Sequence, residues 1–320
     1  MIVLSERRRL YPICAGIDAL GHPRYNSPMF EYSAAQILAL LASDQPTPAA
    51  RVALGRQLAD LRDPRPGVTD LKIDWVDVPA GKFLMGSNPA IDPEANPREL
   101  PQHTVALPAF RISRYPITVA QYEPFVNGKG YAQAEYWPAP ALKWKGSRTQ
   151  PEIGWNDPRY HVANQPVIGV NLYEARAYCR WLSEQLGMIV RIPSEAEWEK
   201  AARATDGRLY PYGNELDESR FADDALGIDH PCAVGLFPSN ASPYGVLDLC
   251  GNVFEWTTSL LRDYPYLADD GREAPEKAGS RIFRGGSFNT PAAFSRCAFR
   301  SHFYPHAGYD WVGFRVCTSE

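Results

Sequence analysis

The C-terminal stretch of residues 282–317 constrains the fold more than any other part of the chain. It contains the adjacent glycines Gly285 and Gly286 and, further on, a Gly-Phe-Arg sequence at 313–315. A glycine pair is typical of a turn, and it also permits positive φ or the close approach of another segment. Between these points the aromatic, His, Ser, Thr, Asn and Asp side chains show no apolar period. We therefore expect a rigid frame that carries a binding surface.

The composition is that of a soluble globular protein. Of 320 residues, 45% are hydrophobic and 22% are charged, which excludes the disordered and fibrous classes. The formal net charge of -4 gives no general attraction to phosphate backbones, and residues 7–9 form the only arginine cluster. We therefore expect no nucleic-acid partner.

The N-terminus and the cysteines predict a cytoplasmic protein. The first charged residues follow a very short apolar run, which is the wrong order for a secretory signal, and no apolar run is long enough to span a membrane. Six cysteines are scattered without a Cys-x-x-Cys pair. In a reducing compartment such cysteines are typically small buried hydrophobic residues. We expect no membrane partner.

Residues 1–70 are predicted to form an N-terminal extension with two short helices. Residues 1–31 are irregular, because prolines and glycines interrupt any period. The first helix begins after Ser33, and Thr47 is expected to cap a second helix that has proline at its first position. Two short helices bury little surface alone. We expect them to pack on the main domain or to be the remnant of a longer helical array.

Residues 71–320 form the predicted main domain. Alternating apolar residues on both sides of a Pro-Ala-Gly turn predict a β-hairpin across residues 73–87, and residues 103–107 predict another strand. Thr118 is expected to cap a helix. The segment 128–158, rich in Trp, Pro and Gly, favours a long packed loop.

Two capping-box patterns predict further helices. Asn171 is followed by Glu174 three residues later, and Gly187 is placed to end that helix. Ser194 and Glu197 form the second pattern, before another apolar face. Two helices among several short strands indicate an α+β domain.

Three sequences in the second half of the chain together resemble the formylglycine-generating enzyme (sulfatase-modifying factor) family. They are Gly-Asn-Val-Phe-Glu-Trp at 251–256, Arg-Gly-Gly-Ser-Phe at 284–288 and Gly-Phe-Arg at 313–315. The resemblance covers residues 73–317. It implies a loop-rich C-type-lectin-like fold of the α+β class, preceded here by the short helical segment. A fold alone does not specify a function.

The resemblance also bears on catalysis. Family members that oxidise cysteine hold copper between two cysteines shortly after the Gly-Gly-Ser sequence, and thiolates favour Cu(I). In this chain residues 288–296 contain no sulfur, and Cys297 and Cys317 do not restore the spacing. Related iron-dependent sulfoxide synthases take histidines partly from an N-terminal helical bundle, where this chain has His22 alone. We expect no copper and no oxidase activity; an oxidoreductase with an unrecognised metal site is the alternative.

A structural calcium ion is a further implication of the resemblance. The residues that match the family's calcium ligands are Asp248, Gly251, Val253 and Glu255. Two carboxylates and two backbone carbonyls provide the hard oxygen donors that Ca²⁺ prefers. In the alternative interpretation, Glu255 and Asn252 satisfy buried amide groups of the loop.

The segment 289–310 has a restricted composition. It contains no Lys, Glu, Gln, Met or Trp, the residue types that randomising the adenines of an Asn codon cannot produce. The chain thus resembles variable proteins of diversity-generating retroelements, which combine this fold with a variable C-terminal segment and a Gly-Phe-Arg-like close. The resemblance implies a non-catalytic ligand-binding protein with a variable region at about residues 288–312.

Aromatic and histidine side chains in this segment suit a binding surface, because they offer a large contact area with few rotamers to fix. The expected ligand-binding residues are Asn289, Ser301, His302, Phe303, Tyr304, His306, Tyr309, Asp310 and Trp311. Their ligand is expected to be an unidentified macromolecule, with a protein as the favoured class. Two alternatives remain: these aromatic residues pack inside a loop, or the domain is a purely structural pseudoenzyme.

Overall fold

The computed structural model describes residues 32–319, so the irregular stretch predicted for residues 1–31 lies outside the described part. The helices of that part are α1 (Ala34–Leu41), α2 (Pro48–Asp60), α3 (Val119–Asn127), α4 (Ala139–Lys145), α5 (Leu172–Leu186) and α6 (Glu195–Arg203). The strands are β1 (Trp75–Val78), β2 (Gly81–Met85), β3 (His103–Leu107), β4 (Phe110–Ser113), β5 (Phe254–Leu260), β6 (Arg281–Arg284), β7 (Ser301–Phe303), β8 (Val312–Gly313) and β9 (Cys317–Thr318). The fold is a loop-rich α+β fold, as predicted.

The helices begin where local capping chemistry predicts. Ser33, Thr118, Asn171 and Ser194 each form a full capping box, in which the N-cap side chain and the N3 side chain exchange hydrogen bonds with the opposite backbone N–H. Gly187 ends α5 in the left-handed conformation. These predictions are confirmed because the responsible contacts lie within one turn of helix.

The predicted hairpin of β1 and β2 is wrong. The strands form three sheets with the orders β1-β4-β9, β2-β3 and β7-β6-β5-β8, so β1 and β2 belong to different sheets. Val76 and Val78 of β1 pack in one apolar cluster, whereas Phe83 and Met85 of β2 pack in another. The chain therefore leaves one sheet at the Pro-Ala-Gly turn and enters the next. The predicted strand 103–107 is confirmed as β3.

The segment 128–158 is more regular than expected, because it contains α4 and a 3₁₀ turn at Ala134–Tyr136. Pro138 is the N-cap residue of α4 and Pro140 lies in its first turn, where proline is tolerated. Two prolines so close together conceal the helical pattern in the sequence. Trp137 is buried and donates its indole N–H to the carbonyl oxygen of Gly130 at 3.0 Å.

The two N-terminal helices pack on the main domain, which confirms the first of the two expectations for them. Arg51 of α2 is buried, and its guanidinium donates to the carbonyl oxygens of Leu41 and Leu236 at 2.7 and 2.9 Å. A Cβ on Gly55 would lie 2.8 Å from the Leu236 side chain, so the helix backbone touches the domain directly. The boundary near residue 70 stays a prediction.

The largest apolar cluster lies between α3, α5 and the sheet that contains β5 and β6. Tyr122, Tyr178 and Phe314 contact one another through their rings there, and Trp256 is fully buried. Within residues 32–319, every helix is too short or too polar to cross a bilayer.

Candidate ligand-binding surface

The glycine pair marks a place where chain segments meet closely. Gly285 and Gly286 have φ values of +105° and +72°. A Cβ on Gly286 would lie 2.3 Å from Ser295 Oγ, and one on Gly285 would lie 3.1 Å from the Trp198 ring. Both the strained conformation and the close contact require glycine here. The close approach that the glycine pair predicts is therefore present at this point.

Buried ion pairs hold the C-terminal stretch at several further points. Four of its arginines are at most 3% exposed: Arg284, Arg296, Arg300 and Arg315. Their carboxylate partners, in the same order, are Glu199, Glu99, Glu195 and Glu255. Breaking such a pair costs about 3–5 kcal/mol, because one buried charge then lacks its partner. The segments between these arginines are thus attached to the domain at both ends.

The main chain of residues 305–311 is held by the scaffold. Hydrogen bonds to its carbonyl oxygens come from Leu172 N to Pro305 (3.1 Å), Asn171 Nδ2 to His306 (3.3 Å), Gly169 N to Tyr309 (2.9 Å) and Phe254 N to Trp311 (3.0 Å). These bonds do not depend on the side chains of the loop. Gly308 is the one position in this loop where a side chain would disturb the backbone contacts, because a Cβ there would lie 2.6 Å from the carbonyl oxygen of Gly169.

The side chains of residues 301–311 lie at the surface. None is fully buried, and Phe303 and Tyr304 are 40% and 58% exposed. The rings of Phe303 and Tyr309 are 4.7 Å apart, and those of Tyr309 and Trp311 stack at 4.8 Å. Trp311 in turn packs on the buried Phe254 at 5.6 Å. We call residues 301–311 the display segment, whose aromatic side chains are supported by the core.

Eight of the nine predicted ligand-binding residues belong to this one segment of the chain, and their role in binding stays a prediction. Asn289 is exposed but lies on the turn that follows Gly286, where its Oδ1 accepts a hydrogen bond from Ser287 Oγ at 2.8 Å. Among residues 32–319, no hydrogen bond, ion pair or ring contact joins Asn289 to the display segment. Asn289 is therefore separate from the other predicted residues.

The predicted calcium ligands lie in a region that the chain itself fills with charge partners. The Glu255 carboxylate accepts hydrogen bonds from Arg315 Nε and Nη2 at 2.6 and 2.8 Å and from Trp198 Nε1 at 2.8 Å. Asp248 Oδ2 accepts from Gly235 N at 2.7 Å, and burial raises the pKa of Asp248 to about 6. A cation at Glu255 would compete with Arg315 for the same oxygens. The calcium site stays a prediction.

The other two predicted members, Gly251 and Val253, belong to the same buried turn. Gly251 N donates to the carbonyl oxygen of Gly285 at 2.7 Å, and Val253 is fully buried. Between them, Asn252 exchanges hydrogen bonds with the backbone N–H and carbonyl of Cys232, at 3.0 and 3.2 Å. These contacts agree with the alternative in which the polar side chains satisfy the loop. Over residues 32–319, no three or more His, Cys, Asp or Glu side chains are grouped so that they could hold a metal.

The two cysteines of residues 282–317 are buried. Cys297 and Cys317 are fully buried, and burial raises the pKa of Cys297 to about 12. Neither therefore offers a thiolate near neutral pH.

Two histidines have contrasting environments. Burial, together with the positive charges of Arg98 and Arg300, lowers the pKa of His302, which favours the neutral imidazole in the display segment. His103 Nε2 accepts a hydrogen bond from Tyr266 N at 2.7 Å, and its Nδ1 lies 2.8 Å from a backbone carbonyl oxygen. Both ring nitrogens of His103 are thus engaged by the backbone, and His103 is a structural residue of β3.

Sequence reasoning missed the elements that support the display segment. Ile153 is 37% exposed, and its Cδ1 lies 3.6 Å from the position of a Cβ on Gly308. Gly169 and Asn171 bind the loop backbone, although the sequence indicated only a cap at Asn171. These contacts join positions more than 130 residues apart, and no local pattern reports them.

Comparison with known proteins identifies the family. A family model described as the sulfatase-modifying factor enzyme 1-like domain matches residues 65–320. The chain belongs to this family. The match includes the frame, the display segment and the capped helices α5 and α6, and it begins after α2.

The relatives that the chain matches include two different enzymes. Hercynine oxygenase from Mycobacterium tuberculosis is 33% identical over 259 residues, which are 73% of this chain and 58% of that protein. The chain spans about three fifths of the length of the hercynine oxygenases that it matches. Formylglycine-generating enzyme from Mus musculus is 28% identical, over 76% of this chain and 74% of the enzyme.

Solved structures agree on the fold. PvdO from Pseudomonas aeruginosa superimposes with a TM-score of 0.61 and 28% identity, over 79% of this chain and 98% of PvdO. Treponema denticola variable protein 1 gives a TM-score of 0.58 at 20% identity, over 77% and 95% of the two chains. At that identity the second likeness concerns the fold alone.

Proposed function

We propose that this protein is a non-catalytic ligand-binding protein that presents the display segment to a macromolecule, with a protein as the favoured ligand class. The observation that supports this most is the division of roles within residues 301–311. The main chain of residues 305–311 is bound by the scaffold, whereas no side chain of residues 301–311 is fully buried and those of Phe303, Tyr304 and His306 are exposed. Side chains at such positions change without loss of the hydrogen bonds that hold the loop.

The chemistry of the segment suits protein recognition. Phe303, Tyr304 and His306 are exposed, and aromatic groups of this kind contribute strongly to protein interfaces. Core packing behind Tyr309 and Trp311 lowers the entropy cost of binding, because the rings are already ordered.

We further propose that the region at about residues 288–312, which includes the display segment, is diversified by a retroelement; this would account for the absence of five residue types from residues 289–310. The test is to sequence the 3′ end of the gene in many independent isolates, together with the neighbouring DNA. We expect an imperfect repeat of the 3′ end near a reverse transcriptase, with differences confined to adenines. Codons for Tyr304, His306 and Tyr309 should vary, whereas those for Gly308 and Arg300 should not.

An invariant 3′ end, or variation that falls equally on Gly308 and Arg300, would refute the diversification. A fixed binding surface would then remain to be tested by alanine substitution of the exposed aromatic residues.

The second candidate is an oxidoreductase, and the identity with hercynine oxygenases is the observation that favours it. Within residues 32–319 the chain provides no grouped set of metal ligands. Metal analysis of the purified protein and oxygen consumption with a thiol substrate test this function. Stoichiometric iron or copper together with metal-dependent turnover would replace the binding function with this one.

A further inference from the structure

A series of redox-active side chains leads from the surface into the core beside α3. Trp155 is half-buried, and its indole contacts the ring of the fully buried Tyr122 edge-on, at a centroid distance of 5.8 Å. The Tyr122 hydroxyl in turn lies 3.1 Å from the hydroxyl of Tyr131, which is also buried. Indole and phenol rings are readily oxidised by one electron, and electrons pass rapidly between rings in contact. A one-electron vacancy created at Trp155 therefore has a short path into the core.

The hydrogen bonds of these two tyrosines end on a carboxyl group. Tyr131 donates its hydroxyl hydrogen to Glu174 Oε1 at 2.7 Å. Because a tyrosine has one hydroxyl hydrogen, Tyr122 is the donor in its bond to Tyr131. The hydroxyl hydrogens thus point in order from Tyr122 through Tyr131 to Glu174. A phenol releases its proton when it loses an electron, and this chain of hydrogen bonds leads that proton to an acceptor.

Helix capping alone does not require a carboxyl group at position 174. The capping boxes of α1 and α3 have glutamines, Gln36 and Gln121, at the same position. Burial raises the pKa of Glu174 to about 7, and of the charged side chains that face it, Glu152 adds to this rise and Arg148 opposes it. A buried carboxyl group that titrates near neutral pH is suited to take up and release a proton.

Tyr178 differs from its neighbours in its hydrogen bond. Its ring stacks on that of Tyr122 at a centroid distance of 5.1 Å, but its hydroxyl donates to the backbone carbonyl oxygen of Gln121 at 3.2 Å. An amide oxygen is too weak a base to take the proton of a phenol. Tyr178 therefore lacks the acceptor that Tyr122 reaches through Tyr131.

We propose that these side chains form an internal radical relay, which accepts an electron vacancy from a one-electron oxidant at the surface and stores it as a neutral tyrosyl radical on Tyr122. In the first step the oxidant gains one electron and Trp155 becomes a radical cation. In the second step one electron passes from Tyr122 to Trp155, which restores the indole. The Tyr122 proton moves to the Tyr131 oxygen as the Tyr131 proton moves to Glu174. The products are a neutral Tyr122 radical, an intact Tyr131 and a protonated Glu174.

The relay is independent of the proposed ligand-binding function, because its members lie outside residues 288–312. The experiment uses the full chain at pH 8, with photogenerated tris(bipyridine)ruthenium(III) as the one-electron oxidant. Electron paramagnetic resonance of rapidly frozen samples measures the tyrosyl radical that persists after radicals on exposed tyrosines have coupled and decayed. Tyr122→Phe, Trp155→Phe and Glu174→Gln should each lower the yield of this radical about fivefold or more, since each removes one step of the relay.

Tyr178→Phe is the matched control. It removes the hydroxyl of a buried tyrosine that contacts Tyr122 but takes no part in the proton path, so the yield of persistent radical should not change. Melting curves of every variant identify a loss of signal that comes from unfolding.

The wild type provides a test that needs no substitution and stays decisive if a variant unfolds. As the pH falls from 8 to 5.5, Glu174 takes up a proton and can no longer accept one, so the yield should fall about tenfold or more. The absence of a persistent tyrosyl radical in the wild type, a yield that does not depend on pH over this range, a wild-type yield in Tyr122→Phe, or an equal loss in Tyr178→Phe would overturn the proposal.

Discussion

Replacing Glu174 with glutamine should make the protein more stable at pH 8. The Glu174 carboxylate is buried, and it accepts hydrogen bonds from Asn171 N at 2.9 Å and Tyr131 OH at 2.7 Å. Burial outweighs these bonds and raises the pKa of Glu174 to about 7, from an ordinary value of 4.5. The folded protein therefore holds this proton up to about pH 7, whereas the unfolded chain releases it near pH 4.5.

The magnitude follows from that difference of about 2.5 pKa units, which corresponds to about 3 kcal/mol. The free energy of unfolding should fall by this amount as the pH rises from 4.5 to above 7, because ionised Glu174 is costly only in the folded state. Glutamine does not ionise. Its amide oxygen still accepts from Asn171 N, and its amide nitrogen can donate to Tyr131 OH. Glu174→Gln should therefore gain up to about 3 kcal/mol at pH 8 and little at pH 4.5.

Glu197→Gln is the matched control, since Glu197 occupies the same capping-box position in α6. Burial alone would raise the pKa of Glu197. The hydrogen bonds and positive charge of Arg191, together with two hydrogen bonds from Ser194, outweigh burial and lower that pKa. Ionised Glu197 thus stabilises the fold above pH 4.5, and this contribution is lost as the pH falls through its lowered pKa. Glu197→Gln should destabilise the protein at pH 7.

The assay is urea unfolding followed by tryptophan fluorescence between pH 4.5 and 8. A lower stability of Glu174→Gln at pH 8, or an unchanged pH dependence in that variant, would refute the assignment of a buried, protonated carboxyl group.

Three further predictions concern the frame and the display segment. Gly286→Ala should lower the melting temperature by several degrees, because the new Cβ would lie 2.3 Å from the buried Ser295 hydroxyl. Gly187→Ala is the control: Gly187 has a φ of +64° but open space around it, so this change should lower the free energy of unfolding by only about 1 kcal/mol. Arg315→Met should cost about 3–5 kcal/mol in urea unfolding, and adding Glu255→Gln should recover part of the loss. Tyr304→Ala should change the free energy of unfolding by less than about 0.5 kcal/mol, since the side chain is 58% exposed. A large loss for Tyr304→Ala would contradict a display role.

The sequence predicted features whose contacts are short in range. The caps at Thr118, Asn171 and Ser194 were predictable because each N-cap bonds to a residue three positions later. The glycine pair was also predictable as a close approach, although its partner Ser295 was not. In contrast, the pairing of β1 with β2 across the Pro-Ala-Gly turn was predicted wrongly. The sheet that each strand joins depends on its partner elsewhere in the chain, which is β4 for β1 and β3 for β2.

The candidate site shows the same division. Its aromatic and polar composition was evident in residues 289–310, whereas the separation of Asn289 from the rest required the folded chain. Glu255 gives the clearest case: its neighbours in sequence resemble a calcium site, but its charge partner Arg315 lies 60 residues away.

By itself, then, the sequence determined the family, the capped helices and the residue types offered at the surface, because these follow from local chemistry. Tertiary structure decided the electrostatic role of each charged group. Glu174 and Glu197 occupy the same position of the same motif, yet one is placed among tyrosines and the other beside Arg191. A carboxyl group responds to the dielectric and the charges around it, and those are set by residues that only folding brings near.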